Sequence, residues 1–389
     1  MQNQLGAFLI MRCLNKLLLV LVFPMFMGSG IAVAADFNKG LQAAQAGDFK
    51  TALTEWVPLA VQGNADAQFN LGLMNAFGMG ISQNDKEAAR WYASASEQGH
   101  IAAQYNLGVA YDYGTGVVQN YKAALKWYTL AAEQGDADAQ YNLGVLYNRG
   151  AGVQQSKETA IKWYTLAAEQ GKVDAQYNLG VSYDKGYGVL ENTKTAIKWY
   201  TLAAEQGLSQ AQFNLGRMYR TGRGVPQNNN IAFKWNYLAA EQGYVNAQFV
   251  IGVLYGTGSG VAKNDKAAAQ WYALAAEQGY AKAQFNLGVI HRRGTGVLQN
   301  NKLAVQWYSL AAKQGYADAQ FNLGYMYKFG EGVQEDSNLA YMWFNLADYN
   351  GNAPASENRD IVAKRMDSAE IAKAQEMSSI CLESDYTDC

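Results

Sequence analysis

The chain has 389 residues, of which 49% are hydrophobic, 13% aromatic and 16% charged, so it can bury a substantial core and is not intrinsically disordered. Lys and Arg number 31 against 33 Asp and Glu, a net charge of −2, which excludes the basic footprint of a nonspecific nucleic-acid binder. Charge lies below the roughly 25% of ordinary domains while glycine, at 39 residues, exceeds its roughly 7% share, an imbalance that points to one architectural cause.

Residues 1–34 read as a secretory signal peptide. Arg12 and Lys16 precede the apolar run Leu17 to Met27, and small residues end in Ala32-Val33-Ala34, with cleavage expected after Ala34 or, as runner-up, Ala35. An uncleaved anchor is the competing reading, since Leu17 to Ala35 barely suffices to span a bilayer, but Pro24, Gly28 and Gly30 disfavour it. Met11 is an alternative start. Export implies a periplasmic location, or secretion as the alternative, with no membrane span after cleavage. The mature chain carries 29 basic against 33 acidic side chains. It retains Cys381 and Cys389, which are expected to pair in an oxidising compartment.

Residues 35–63 look like a degenerate capping unit, with helices over 36–46 and 48–61, Trp56 in the role of the later tryptophans and Pro58 kinking its helix. The hexapeptide Ala67-Gln68-Phe69-Asn70-Leu71-Gly72 then opens an array over 64–350. Its alanine recurs at 103, 139, 175, 211, 247, 283 and 319. Tryptophan keeps the same 36-residue period at Trp91, Trp127, Trp163, Trp199, Trp235, Trp271, Trp307 and Trp343. Each copy predicts two helices. Helix A, such as 137–147, has apolar residues near the 3.6 period and ends at Gly-x-Gly-Val or Gly-x-Gly-Ile. Helix B begins at a side chain able to cap it: Asn84, Asn120, Ser156, Asn192, Asn228, Asn264, Asn300 or Asp336. Its stop is the glycine of Glu-Gln-Gly.

The pattern Ala-Gln-Phe/Tyr-Asn-Leu-Gly, Gly-x-Gly-Val, Trp-Tyr, Ala-Ala-Glu-Gln-Gly resembles the Sel-1-like repeat family, relatives of the tetratricopeptide repeats. The resemblance covers about residues 36–377 and implies an all-α fold, antiparallel helix pairs stacked as a right-handed solenoid. Stacking is also what such units need, because one helix pair cannot bury its apolar stripe alone. Residues 351–389 leave the repeat and predict a helical cap and tail, with helices over 356–366 and from Asp367, whose Glu370 completes a capping box.

One copy departs from the pattern in two slots at once, with Asn236 where Tyr usually follows Trp and Val250 where Asn usually precedes Leu-Gly. Because the two lie either side of Gly243, the Tyr and Asn slots are expected to touch across each turn, as Tyr128 with Asn142. The Trp and Tyr ladder reads as packing rather than as a platform for sugars or bases. Lys126, Lys162, Lys198 and Lys234 read as a solvated face of helix B.

Catalytic chemistry has no candidates. His100 and His291 stand far apart in register and lack the companions of a metal site, so neither metal nor cofactor is expected. Gly256-x-Gly258-x-Gly260 follows a helix, not a strand, and is a repeat turn rather than a phosphate loop. A cysteine-rich branch of the family is linked to penicillin binding, but this chain lacks the cysteine pair in each repeat. The informative slot lies four residues after the Gly of Asn-Leu-Gly: Ala76, Asp112, Asn148, Asp184, Arg220, Gly256, Arg292, Lys328. Acid gives way to base along it, and Arg217, Arg223 and Arg293 add positive charge. In the family helix A lines the concave face, so these six basic residues, Arg217, Arg220, Arg223, Arg292, Arg293 and Lys328, are candidates to grip a protein partner or an anionic envelope component. The expectation is a noncatalytic interaction scaffold of the cell envelope. A secreted factor acting on a host or neighbouring cell, and a cell-wall hydrolase or its regulator, are the alternatives.

Overall fold

The computed structural model describes residues 35–389, so the expected signal peptide lies outside the described residues. Among the described residues there are twenty helices and no strand. They fall into two compact units, one ending at Ala95 and the other beginning at Ser96.

The first unit opens with helices Phe37–Gln45 and Phe49–Val61, capped by the carboxylates of Asp36 and Asp48. The second of these runs through Pro58. Trp56 corrects the sequence expectation. Its indole lies on Gly40, where a Cβ would come within 2.5 Å of the ring, as Tyr92 lies on Gly72. Trp56 thus fills the Tyr slot rather than the Trp slot, because it stands as far along its helix from the cap Asp48 as Tyr92 does from the cap Asn84. Helix A of the first repeat, Ala65–Phe77, and helix B, Asp85–Glu97, follow.

The second unit holds seven more A helices: Ile101–Tyr113, Ala137–Arg149, Val173–Lys185, Ser209–Thr221, Val245–Thr257, Ala281–Arg293 and Ala317–Phe329. The B helices are Tyr121–Glu133, Lys157–Glu169, Thr193–Glu205, Asn229–Glu241, Asp265–Glu277, Asn301–Ala312 and Ser337–Tyr349. Through the whole array the eight expected cap residues accept a hydrogen bond from the backbone N–H three residues on. Helix A stops where a glycine takes the left-handed conformation, as at Gly150, φ 71°. Its neighbour Gly152 is needed for a different reason. A Cβ there would sit 2.5 Å from the Tyr121 backbone, so the turn could not lie against the helix B of the preceding repeat.

Burial is shared unequally within a repeat. Alanines, leucines and the helix-B tyrosines are enclosed, with Tyr128 fully buried and Tyr164 4% exposed. Most of the tryptophans are half-buried and close the edge of a core formed between the preceding helix B and the helix A of their own repeat, as Trp163 does in the core of Ala131, Ala139 and Leu143. Burying side chains of this size supplies about 1.5–3 kcal/mol each, so apolar packing is the main cohesion of the array.

A ladder of glutamines fixes the register. The Gln of each Ala-Gln hexapeptide is buried, and Gln140 illustrates its bonds: Nε2 donates to Ala132 O of the preceding repeat at 3.0 Å. Its Oε1 accepts from Gln170 Nε2 of its own repeat at 2.8 Å. Gln170 also donates to Gly135 O, joining the two repeats a second time. Asn350 takes the place of the second glutamine in the last repeat, donating to Gln320 Oε1 at 2.9 Å.

After the array come helices Ala355–Ala363 and Ser368–Glu383, the latter with the Asp367–Glu370 capping box. Cys381 and Cys389 are joined as a disulfide that folds the tail back. The Tyr386 hydroxyl within that loop lies 2.8 Å from Asn350 Nδ2, closing the end of the glutamine ladder. Among the described residues no helix is long and apolar enough to cross a membrane.

Candidate functional site

The variable slot near the end of helix A is built by a tyrosine. In most repeats the ring of helix B lies on the glycine of Asn-Leu-Gly, where a Cβ at Gly108 would come within 2.6 Å of Tyr128. From there its hydroxyl reaches the variable slot of its own repeat: Tyr128 donates to Asp112 Oδ2 at 3.3 Å. Burial raises the pKa of these phenols, to about 12 at Tyr272 and Tyr308. They are therefore neutral donors at physiological pH. The same burial raises the Asp112 carboxyl. The expected Tyr–Asn pairing is present where Tyr164 meets the Asn178 amide and Tyr272 the Asn286 amide. The Tyr128 hydroxyl instead has Asp112 as its hydrogen-bond partner, where Asn142 was expected.

The six basic candidates separate into two groups. Asp184, 1% exposed, receives Arg217 Nη2 at 2.9 Å on Oδ2. Arg223 Nη1 stands 3.0 Å from its Oδ1, an ion-pair contact without hydrogen-bond alignment. Arg223 Nη2 also donates to the Asp184 carbonyl and to Glu191. These arginines therefore clamp two adjacent repeats. Arg292 does similar work two repeats on, paired with Glu331 at 3.0 Å and lying 4.6 Å over the Tyr325 ring. Lys328 donates to Asn358 of the C-terminal cap, and burial together with Arg365 lowers its pKa. Arg220 and Arg293 differ, being exposed and forming no ion pair among the described residues.

The repeat that departs from the pattern contains an opening. Asn236 lies against Gly216, where most other copies place a tyrosine, and donates to Ala232 O at 2.8 Å. Its Oδ1 is buried without a hydrogen-bond partner. Between this repeat and the next a pocket of about 390 Å³ is lined by Phe249, Val250, Val253 and Leu254 together with the polar residues Arg220, Gln227, Asn229, Thr257 and Ser259. The joint change at Asn236 and Val250 was legible in the sequence, but the pocket that Val250 lines was not.

The histidines have separate surroundings. His100 Nδ1 accepts from Ala103 N and so caps helix Ile101–Tyr113. His291 Nδ1 is buried with no partner, and burial lowers its pKa. Among the described residues no group of three His, Cys, Asp or Glu side chains is placed to hold a metal.

Comparison with known proteins accounts for this regularity. The Sel1 repeat model matches eight consecutive segments, 65–100, 101–136, 137–172, 173–208, 209–244, 245–280, 281–316 and 317–352. Among solved structures, a protective antigen of uropathogenic Escherichia coli displaying an SLR fold is 31% identical, with a TM-score of 0.62 over 90% of this chain and 85% of that one. A Sel1 repeat protein from Oxalobacter formigenes is 32% identical, with a TM-score of 0.62, covering 88% of this chain and 98% of that one. No curated protein matches the chain.

Proposed function

The chain belongs to the Sel1 repeat family, an α-solenoid architecture of protein-interaction scaffolds, and from that premise we propose that it is a noncatalytic scaffold of the bacterial cell envelope. Its partner docks on the helix-A ends. The observation that carries this reading is the contrast within each repeat. Cap, glycine, glutamine and alanine slots repeat because packing demands them, whereas the slot at Asp112, Asn148, Asp184, Arg220, Gly256, Arg292 and Lys328 changes chemistry from copy to copy. Where this slot is not taken up by contacts between repeats, as at the exposed Arg220, it is free to carry specificity. The exposed heads of Arg220 and Arg293 favour an acidic partner.

The test is affinity capture of the chain after cross-linking in its native envelope. Arg220→Glu combined with Arg293→Glu is expected to lose a partner that the wild type retains. Lys126→Glu combined with Lys162→Glu on helix B is expected to retain it. Equal capture by all three overturns the helix-A assignment. The arginines engaged with Asp184 and Glu331 are left unchanged, since reversing them would disturb packing as well as any interface.

A second reading, an exported factor acting on a host or neighbouring cell, draws support from the description of the Escherichia coli neighbour as a protective antigen. Fractionation separates the two. Recovery with the periplasmic contents supports the envelope scaffold, and recovery in the medium supports the exported factor.

A further inference from the structure

We propose that the pocket beside Asn236 receives an aromatic side chain from a partner polypeptide, with a carboxylate next to that residue pairing with Arg220. This proposal rests on the scaffold reading and names the chemistry of one of its contacts.

The argument starts from what fills the same room elsewhere. In four other copies a tyrosine hydroxyl meets either the variable slot of its own repeat or the Asn slot of the next. Tyr128 reaches Asp112, Tyr308 reaches Arg292, and Tyr164 and Tyr272 meet Asn178 and Asn286. In the departing repeat those flanking positions are Arg220 and Val250, and both line the pocket. The residue that should fill it is Asn236, whose side chain stops against Gly216. The pocket therefore takes in the place that a phenol hydroxyl occupies between these two slots in other copies, and Val250 lines it with an apolar group in place of the usual amide.

Its chemistry matches that origin. Phe249, Val250, Val253 and Leu254 offer the apolar walls that an aromatic ring prefers. Its volume of about 390 Å³ falls near the lower end of the 300–1,000 Å³ typical of ligand sites, suited to one large side chain rather than an extended cofactor. Charge selects the neighbour of that side chain. Arg220 is at the rim and exposed, and it forms no ion pair among the described residues, unlike Arg217 and Arg223 one turn to either side. A guanidinium presented in this way favours bidentate contact with a carboxylate.

The test uses the purified mature chain and fluorescein-labelled, acetylated hexapeptides holding one Phe or Tyr with Asp or Glu within two residues. Controls replace the aromatic residue by Ala or the acids by Lys. Saturable polarisation by an acidic aromatic peptide is expected, with at least tenfold weaker binding for either control. The decisive variant is Asn236→Tyr combined with Val250→Asn, which restores the pattern of the other repeats and so preserves the fold while refilling the room. It is expected to weaken binding at least tenfold, as is Arg220→Gln. Full binding by the restored variant overturns the pocket, as does failure of every acidic aromatic peptide to bind. If binding survives the restored variant but is lost in Arg293→Glu, the helix-A reading stands and the pocket proposal falls. If the restored variant abolishes peptide binding while envelope capture is unchanged, the pocket stands and the capture reading must move elsewhere.

Discussion

Replacing Gln140 by Leu tests whether the glutamine ladder holds neighbouring repeats in register. The change nearly conserves volume at a site only 4% exposed and removes two hydrogen bonds, to Ala132 O at 3.0 Å and from Gln170 Nε2 at 2.8 Å. Neither former partner is orphaned. Ala132 O still accepts from Gly135 N, and Gln170 Nε2 still donates to Gly135 O. The expected loss is therefore the net value of two bonds, about 2 kcal/mol, without an added penalty for a buried unpaired group. Stability in a repeat array is local, so the readout is hydrogen exchange in peptides spanning 128–145, where about 2 kcal/mol corresponds to roughly thirtyfold faster exchange. Exchange near Trp307 should not change. A double-mutant cycle with Gln170→Ala should show coupling of about 1 kcal/mol. Exchange within about twofold of wild type, or no coupling, would refute the ladder as the source of register.

Asp184→Asn leaves Arg217 without its counter-charge and Arg223 with Glu191 alone. Because each remains about one-third exposed, the cost is expected at about 1–3 kcal/mol, below that of a fully buried pair, and Arg217→Val in the same chain should recover part of it in thermal melting. His291 has its pKa lowered from 6.5 by burial, so the unfolded chain takes up a proton first as pH falls. Stability is accordingly lost as pH drops below about 6.5, and His291→Tyr should flatten the change in melting temperature between pH 7 and pH 5. Cys389→Ser opens the loop that places Tyr386 against Asn350. Chain entropy gives about 2.5 kcal/mol for so short a loop, confined to the tail, so exchange protection should fall over residues 380–389 and persist in the central repeats.

The sequence showed its elements through repetition. Eight cap residues at one spacing and a left-handed glycine after each helix A are local signals that need no tertiary information. What stayed hidden depends on side chains meeting across repeats. Nothing in a single copy shows that Asp184 lies between Arg217 and Arg223, which come from the next copy. Trp56 looked like another repeat tryptophan because residue type suggested it, whereas its distance from the cap Asp48 puts it in the Tyr slot, on Gly40. The buried Gln of the hexapeptide did carry a signal: a polar residue kept in all eight copies amid apolar neighbours requires partners. The pocket was half legible, since two slots changed together, but its walls and its free arginine required the fold.

The most direct test of the account is site-specific photo-cross-linking in the envelope. A photoreactive phenylalanine analogue is placed in turn at Asn148, Arg220, Gly256 and Lys328 on the helix-A ends, and at Lys126, Lys162 and Lys234 on the exposed side of helix B. The account predicts one discrete cross-linked species from the helix-A positions, strongest at Arg220 and Gly256, and none from helix B. The same species arising from helix B, with none from helix A, would contradict it.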